Sequence, residues 1–184
     1  MSTSSIRFQP GGPAGVGLEP WGAKPAASLE RGDAVQHGHM YFEDAALGLS
    51  AGIWDCTPFV GKPRAHGCNE FMIILEGSVT IRPESGSATT VRAGQSFFLP
   101  KGLRMQWEQP ERVRKYFVIY DGPADAPAPA AAPPLIIDPA AKLAPSTPPA
   151  PAALFGAVPS QAGKAAFVDS TGQWTVGVWE TSPY

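Results

Sequence analysis

Proline and glycine interrupt this chain so often that no long helix fits between them. The 184 residues include 21 prolines and 20 glycines. Proline breaks helices and glycine weakens them, whereas the turns between short strands use both. Hydrophobic residues still make up 43% of the sequence and aromatic residues 10%, which is enough to build a core. We therefore expect short strands joined by turns, and neither a helical nor a wholly disordered chain.

The placement of apolar residues divides the chain into four segments. Residues 1–40 predict an extended N-terminal arm with at most one short strand, near Ile6–Phe8. Residues 41–121 hold apolar runs of strand length bounded by turn residues, which predicts an antiparallel sandwich or barrel. Residues 122–153 interleave proline with alanine and predict a linker or a surface strap. Globular character returns over residues 154–184.

An internal repeat connects the last segment with the start of the apolar one. Phe42–Phe59 aligns without gaps with Phe167–Tyr184, and both copies contain Gly-[Ile/Val]-Trp-[Asp/Glu]-x-[Ser/Thr]-Pro-[Phe/Tyr]. Such self-similarity predicts a duplicated β domain. Because the first copy is only beginning its core strands at the matching point, we expect residues 154–184 to be an incomplete second copy.

Two sequence motifs resemble the signatures of the cupin superfamily: Glu70-x6-Gly77 and Gly94-x5-Pro100-x-Gly102. The surrounding sequence looks most like the ureidoglycine aminohydrolase-like and ethanolamine-utilisation-like cupins, whose members often carry two cupin domains in tandem. The resemblance covers residues 42–121 well and residues 154–184 in part. It implies an all-β fold, an antiparallel β-barrel or jelly-roll cupin over residues 41–121, as the first barrel of a bicupin.

The resemblance also implies a metal site that this sequence fills incompletely. A complete cupin site resembles His-x-His-x3-Glu with a further His downstream, and these positions hold Arg64, His66, Glu70 and Met105 here. Only His66 and Glu70 remain as metal ligands, and two ligands rarely hold a divalent ion. Arg64 adds positive charge where the cation would sit. We expect no cofactor, with a divalent metal at His66 and Glu70 as the alternative.

The strand before Gly77 predicts which residues face the interior. If Glu70 faces inward, as the resemblance implies, then Met72 and Ile74 share its side of the strand. A carboxylate inside a barrel must be paired or protonated. We expect Arg64 to be the partner of Glu70, so that a guanidinium replaces the charge of the metal.

Three functions follow from these residues, and the sequence leaves open whether the protein is an enzyme. The first is the binding of a small polar ligand, such as a carboxylate, at a degenerate metal site. The residues expected to contact that ligand are Arg64, His66, Glu70, Met72, Met105 and Trp107. The second is a metal-dependent enzyme of the ureidoglycine aminohydrolase or isomerase type, with His66 and Glu70 as ligands. The third is a structural or dimerising half of a tandem cupin.

Charge and cysteine usage restrict the partners. The net charge of −2 gives no electrostatic footprint for nucleic acid, and no apolar run is long enough to cross a membrane. Basic residues gather only at Arg112, Arg114 and Lys115, which we interpret as a solvated strand end. Cys56 and Cys68 predict reduced thiols in a cytoplasmic protein. The apolar outer face of the predicted barrel needs cover, and we expect a homodimer.

Overall fold

The computed structural model describes residues 5–121, 134–169 and 171–183. Its helices are three single 3-10 turns, at Pro13–Gly15, Ala26–Ser28 and Pro151–Ala153. The strands are β1 (Glu19–Ala23), β2 (Leu29–Gly32), β3 (Val35–Asp44), β4 (Leu49–Cys56), β5 (Phe59–Gly61), β6 (Arg64–Ala65), β7 (Asn69–Glu76), β8 (Ser78–Pro83), β9 (Thr89–Arg92), β10 (Ser96–Leu99), β11 (Arg104–Gln109), β12 (Val113–Tyr120), β13 (Leu135–Ile137), β14 (Ala144–Pro145), β15 (Gln161–Val168) and β16 (Thr175–Thr181). The expected all-β class is confirmed. None of the described helices is long and apolar enough to cross a membrane.

The chain divides into two compact units, Met1–Ile136 and Ile137–Tyr184. One sheet has the strand order β1-β3-β4-β12-β7-β10-β13, and the other has the order β2-β5-β11-β8-β9, with β6 also pairing with β11. The strand pairs with a described register are antiparallel. This arrangement is the expected jelly-roll, although the hydrogen bonds of its two sheets do not join into a closed barrel.

The core of the first unit lies between these two sheets. Along β7, Met72 and Ile74 are fully buried, while Ile73 between them is 36% exposed. The predicted alternation of this strand is therefore confirmed, and Glu70 lies on the buried side with Met72 and Ile74. Each such aliphatic side chain contributes about 1.5–3 kcal/mol when it leaves water.

The segment before residue 41 differs from the expectation of at most one short strand near Ile6–Phe8. No strand forms at Ile6–Phe8, while β1, β2 and the first part of β3 all lie between residues 19 and 40. β1 and β2 are edge strands of the two sheets. An edge strand tolerates Pro20 and Gly22 because the backbone groups on its outer side need no partner. The register of β1 shifts between these two residues.

Only part of the predicted linker can be compared with the structure, because residues 122–133 lie outside the described residues. The remainder, up to residue 153, contains the short strands β13 and β14 and the 3-10 turn Pro151–Ala153.

The second unit contains one sheet of three strands in the order β14-β15-β16. Its β15–β16 hairpin has the geometry of the β3–β4 hairpin in the first unit. Gly52 pairs with Met40 and Gly177 pairs with Ala165, and in both hairpins the register shifts immediately after this pair. The aligned sequences thus form equivalent bulged hairpins, although Tyr184 at the end of the alignment lies outside the described residues.

The turns of the two hairpins also share a capping aspartate. Asp44 accepts hydrogen bonds from the backbone N–H groups of Ala46 and Leu47. Asp169 accepts hydrogen bonds from the N–H groups of Thr171 and Trp174. Aspartate favours such turns because its short side chain reaches its own backbone a few residues later. Asp44 and Asp169 occupy the same position in the two aligned segments.

Gly52 is required by the close approach of β3, so we expect Gly52→Ala to destabilise the first unit. A methyl group there would lie 2.5 Å from the carbonyl oxygen of His39 and 2.8 Å from Phe117 Cζ. Overpacking of this kind lowers the free energy of unfolding by about 1–3 kcal/mol, measurable by urea denaturation. Gly61→Ala is the control, because its nearest neighbour would lie 3.7 Å away. Equal stability of the two variants would contradict the prediction.

Candidate functional site

A cavity of about 380 Å³ opens between the two sheets of the first unit. β4, β7 and β12 of one sheet and β5, β6 and β11 of the other contribute residues to its lining. Its aromatic lining consists of Trp21, Trp54, Phe59, Trp107 and Phe117. The charged residues of the lining are Lys24, Lys62, Arg64, His66, Glu70 and Lys115. The cavity therefore combines apolar walls with a small set of charged groups, as ligand sites do.

A buried ion pair lies at the base of this cavity. Lys115 Nζ donates a hydrogen bond to Glu70 Oε1 at 2.7 Å, and both side chains are at most 10% exposed. His66 Nε2 lies 3.3 Å from the other carboxylate oxygen, Oε2. Burial alone would raise the pKa of Glu70, but the Lys115 ammonium and the His66 hydrogen bond outweigh it and lower that pKa to about 2.

Aromatic rings and a thioether complete the surroundings of Lys115. Its Nζ lies 5.0 Å from the ring centroids of both Trp54 and Trp107 and 2.9 Å from Met72 Sδ. The faces of tryptophan rings attract cations through their quadrupole. The ammonium group is consequently enclosed by groups that stabilise positive charge, and it is fixed in one position.

Lys115 lies outside the set of site residues that the sequence predicts. We interpreted Arg112, Arg114 and Lys115 as a solvated strand end, which is wrong for Lys115 because it is buried. The strand pattern held the signal, since Lys115 has the same parity as Val113 and Phe117, both buried. A lysine in the inward register of a strand needs a buried anion, and Glu70 is that anion.

The predicted Arg64–Glu70 ion pair is wrong. Both carboxylate oxygens of Glu70 already face Lys115 or His66. Lys115 lies on β12, which is hydrogen-bonded to the strand of Glu70, whereas Arg64 lies on β6 of the other sheet. Arg64 is exposed, lines the cavity and forms no ion pair within the described part of the chain.

The other predicted site residues lie at or beside the cavity. His66, Glu70, Met105 and Trp107 line it together with Arg64, while Met72 lies in the core and contacts Lys115. Trp107 Nε1 donates a hydrogen bond to Gln109 Oε1 at 2.8 Å, which fixes the orientation of its ring. These positions match the predicted set, but their contact with a ligand stays a prediction.

Lys24 is a second cavity residue that the sequence analysis missed. It follows β1, and its backbone N–H donates to the carbonyl oxygen of Ala34 at 3.1 Å. Its Nζ lies 5.8 Å from the ring of Trp54 and 5.6 Å from that of Phe59. Burial, and next the charge of Lys115, lower the pKa of Lys24. Within the described residues, no carboxylate forms an ion pair with it.

The donor groups near Glu70 do not fit a divalent metal. Single donor atoms of His66, Cys68 and Glu70 lie within 4.8 Å of one another. However, the Lys115 ammonium donates to a Glu70 oxygen that a metal would need, and like charges repel. Burial raises the pKa of the Cys68 thiol to about 12, which disfavours the thiolate that binds metals. Lys115 thus places positive charge beside the carboxylate that the cupin resemblance implies as a metal ligand.

Because Lys115 neutralises a buried carboxylate, Lys115→Met should be strongly destabilising at pH 7. We expect a loss of about 3–5 kcal/mol in the free energy of unfolding, the usual cost of breaking a buried pair. Without the ammonium, burial should raise the folded-state pKa of Glu70 above its usual 4.5, so protonation at pH 5 should recover part of the loss. Urea denaturation at pH 7 and pH 5 measures both effects.

In the wild-type protein, by contrast, lowering the pH should remove the stabilising contribution of Glu70. The folded-state pKa of Glu70 is about 2, below the usual 4.5, so its stabilising contribution is complete above pH 4.5 and is lost as the pH falls toward 2. Lys101→Met serves as the matched control, since Lys101 pairs with Asp121 at the surface. A loss in Lys115→Met that is the same at pH 7 and pH 5 would contradict the prediction.

Comparison with known proteins agrees with this fold. Residues 44–117 match the family model of the EutQ-like cupin domain. A Pseudomonas syringae pv. tomato protein of unknown function, from the DUF861 family, is 30% identical with a TM-score of 0.53, over 55% of this chain and 43% of that chain. The present chain thus spans less than half of that protein. A search of curated proteins finds no significant match.

Two further solved structures are similar. A DUF861 family protein from Thermotoga maritima is 32% identical, with a TM-score of 0.35 over 37% of this chain and 76% of that chain. The EutQ protein of Clostridium difficile is 20% identical, with a TM-score of 0.42 over 54% of this chain and 79% of that chain. The matched family model and the two-sheet jelly-roll agree that residues 44–117 form a EutQ-like cupin domain.

Proposed function

We propose that this cupin binds a small carboxylate with an apolar or aromatic body, without the help of a metal. The observation that carries the proposal is the surplus of positive charge at an aromatic cavity. Lys24, Lys62 and Arg64 line the cavity, and none of them has an acidic partner in the described part of the chain. Glu70 cannot serve as their counter-ion, because Lys115 and His66 engage it.

An anion is the ligand that such a cavity favours. Charge-assisted hydrogen bonds are stronger than neutral ones, and a guanidinium matches a carboxylate with two parallel donors. Arg64 is exposed and can orient toward a ligand that enters from solvent. Lys62 is also exposed, lines the same cavity and lies two residues before Arg64 in sequence. A carboxylate would therefore bind near the cavity entrance, where these groups lie.

The walls of the cavity favour an apolar body behind that carboxylate. Trp54 and Trp107 meet edge to face with ring centroids 6.3 Å apart, and their planes are 89° apart. Trp21 packs edge to face on Phe117 at 6.5 Å. Aromatic rings hold flat apolar groups well and contribute beyond the area they bury. A ligand with one aromatic ring uses this lining better than a purely polar molecule.

A metal-dependent activity of the ureidoglycine aminohydrolase or isomerase type is the alternative. It would use His66 and Glu70 as ligands, as the sequence predicts. The ammonium of Lys115, 2.7 Å from Glu70, favours the metal-free proposal instead. The two proposals differ in a measurable way, because a metal that binds the folded state raises its stability.

Binding of 4-phenylbutanoate tests the proposed ligand class. We expect calorimetry to detect binding of this acid and at least tenfold weaker binding of the neutral 4-phenylbutanamide, about 1.4 kcal/mol. Arg64→Gln should weaken binding of the acid but change binding of the amide little. Arg104→Gln is the control, because Arg104 pairs with Glu84 at the surface and does not line the cavity. Equal affinity for acid and amide would contradict the proposal.

Thermal unfolding tests the absence of a metal. We expect neither exhaustive chelation nor added Zn²⁺, Mn²⁺ or Ni²⁺ to change the Tm. A metal at one hundred times its Kd would stabilise the folded state by about 2.7 kcal/mol, which is readily detected. A stabilisation that saturates at one metal per chain and disappears in His66→Ala would favour the metal-dependent alternative.

A further inference from the structure

Lys24 is the most unusual charged group of the cavity. Its ammonium faces two aromatic rings, Trp54 and Phe59, and no acidic group in the described part of the chain forms an ion pair with it. Its side chain is half-buried, and its backbone N–H donates a hydrogen bond to the carbonyl oxygen of Ala34. A lysine that is removed from water without a counter-ion is more easily deprotonated, and a neutral amine is a nucleophile.

The two other lysines of the cavity are in different surroundings. The amine of Lys115 donates to the Glu70 carboxylate at 2.7 Å and is engaged in that ion pair. Lys62 is exposed to solvent, whereas Lys24 is half-buried against aromatic rings. Burial and the nearby Lys115 charge both lower the pKa of Lys24, as neighbouring cations do for nucleophilic lysines. Lys24 is thus the cavity amine that is best suited to react.

We propose that Lys24 forms an imine with a 2-oxo acid that enters the cavity, an inference that rests on the proposed binding of carboxylates. The lone pair of Nζ attacks the carbonyl carbon of the acid, and the carbonyl π electrons move to its oxygen. The resulting carbinolamine loses water to give the C=N bond. Both hydrogens of that water come from the Lys24 amine, so the step needs no oxidant, reductant or further reactant.

Other cavity residues would bind the carboxylate and the apolar body of a 2-oxo acid. The carboxylate, one bond from the carbonyl, would bind Lys62 or Arg64, the cations without an acidic partner. The apolar body would pack against Trp107 and Phe117, which line the same cavity. A carboxylate held beside the amine raises the effective concentration of the carbonyl at Nζ. This geometry selects 2-oxo acids over simple aldehydes.

Reductive trapping on the full chain tests the inference. The protein is incubated at pH 7 with 2-oxo-4-phenylbutanoate and sodium cyanoborohydride, whose hydride converts an imine into a stable secondary amine. Peptide mapping by mass spectrometry then measures modification at every lysine. We expect modification of Lys24 at least tenfold above that of Lys62. Labelling of Lys24 that does not exceed that of Lys62 would overturn the inference.

Two variants and a matched ligand complete the test. Lys24→Arg keeps the charge and should remove the adduct, while Lys101→Arg, outside the cavity, should retain it. Because the main measurement is made on the wild-type protein, it does not depend on the folding of a variant. The matched 4-phenylbutanoate has no carbonyl, so its binding tests the carboxylate site alone. Binding of this acid without any Lys24 adduct overturns the imine and leaves the proposed function standing.

Discussion

The buried ion pair between Glu70 and Lys115 determines what the cavity can hold. Taking two charges out of water costs several kcal/mol for each, so the pair persists only because its geometry and its further contacts offset that cost. His66 takes the second carboxylate oxygen, and two tryptophan rings face the ammonium. Among the described residues, Glu70 is the only acidic group that lines the cavity, and the pair keeps it from competing for a ligand. The unpaired cations at the same cavity are left for an anion from solution.

The features of the fold that depend on residues close together in sequence were predictable. The alternation of Glu70, Met72 and Ile74 fixes the buried side of β7 because successive side chains of a strand point to opposite faces. The repeated hairpin was predictable for the same reason, since Gly52 and Gly177 mark a bulge that forms within one pair of strands. The expected antiparallel β architecture rests on the same short-range signals, whereas the jelly-roll was expected from the resemblance to cupins.

The ion-pair partners within the site were not predictable from short-range patterns, because they depend on which strands lie next to each other in the folded protein. Glu70 and Arg64 are close in sequence, and this proximity favoured the wrong ion pair. The structure places Arg64 and Glu70 on different sheets and brings Lys115, 45 residues away from Glu70, onto the adjacent strand. The position of Lys24 was not predictable either, because Lys24 reaches the cavity through the pairing of β1 with the edge of the sheet. Edge strands with proline and glycine carry a weak sequence pattern.

The ammonium of Lys115 beside Glu70 supports different chemistry from that of a metal ion. A metal ion polarises its ligands and accepts new ones, whereas Lys115 donates hydrogen bonds from one fixed position. Chemistry in this cavity must therefore come from side chains that are not held in the central pair. Lys24 meets that condition, because two aromatic rings surround its amine and no carboxylate is bonded to it within the described residues. Burial, and next the positive charge of Lys115 in the same ion pair, lower the pKa of Lys24. The Glu70–Lys115 ion pair and the proposed reactive amine of Lys24 are thus electrostatically coupled.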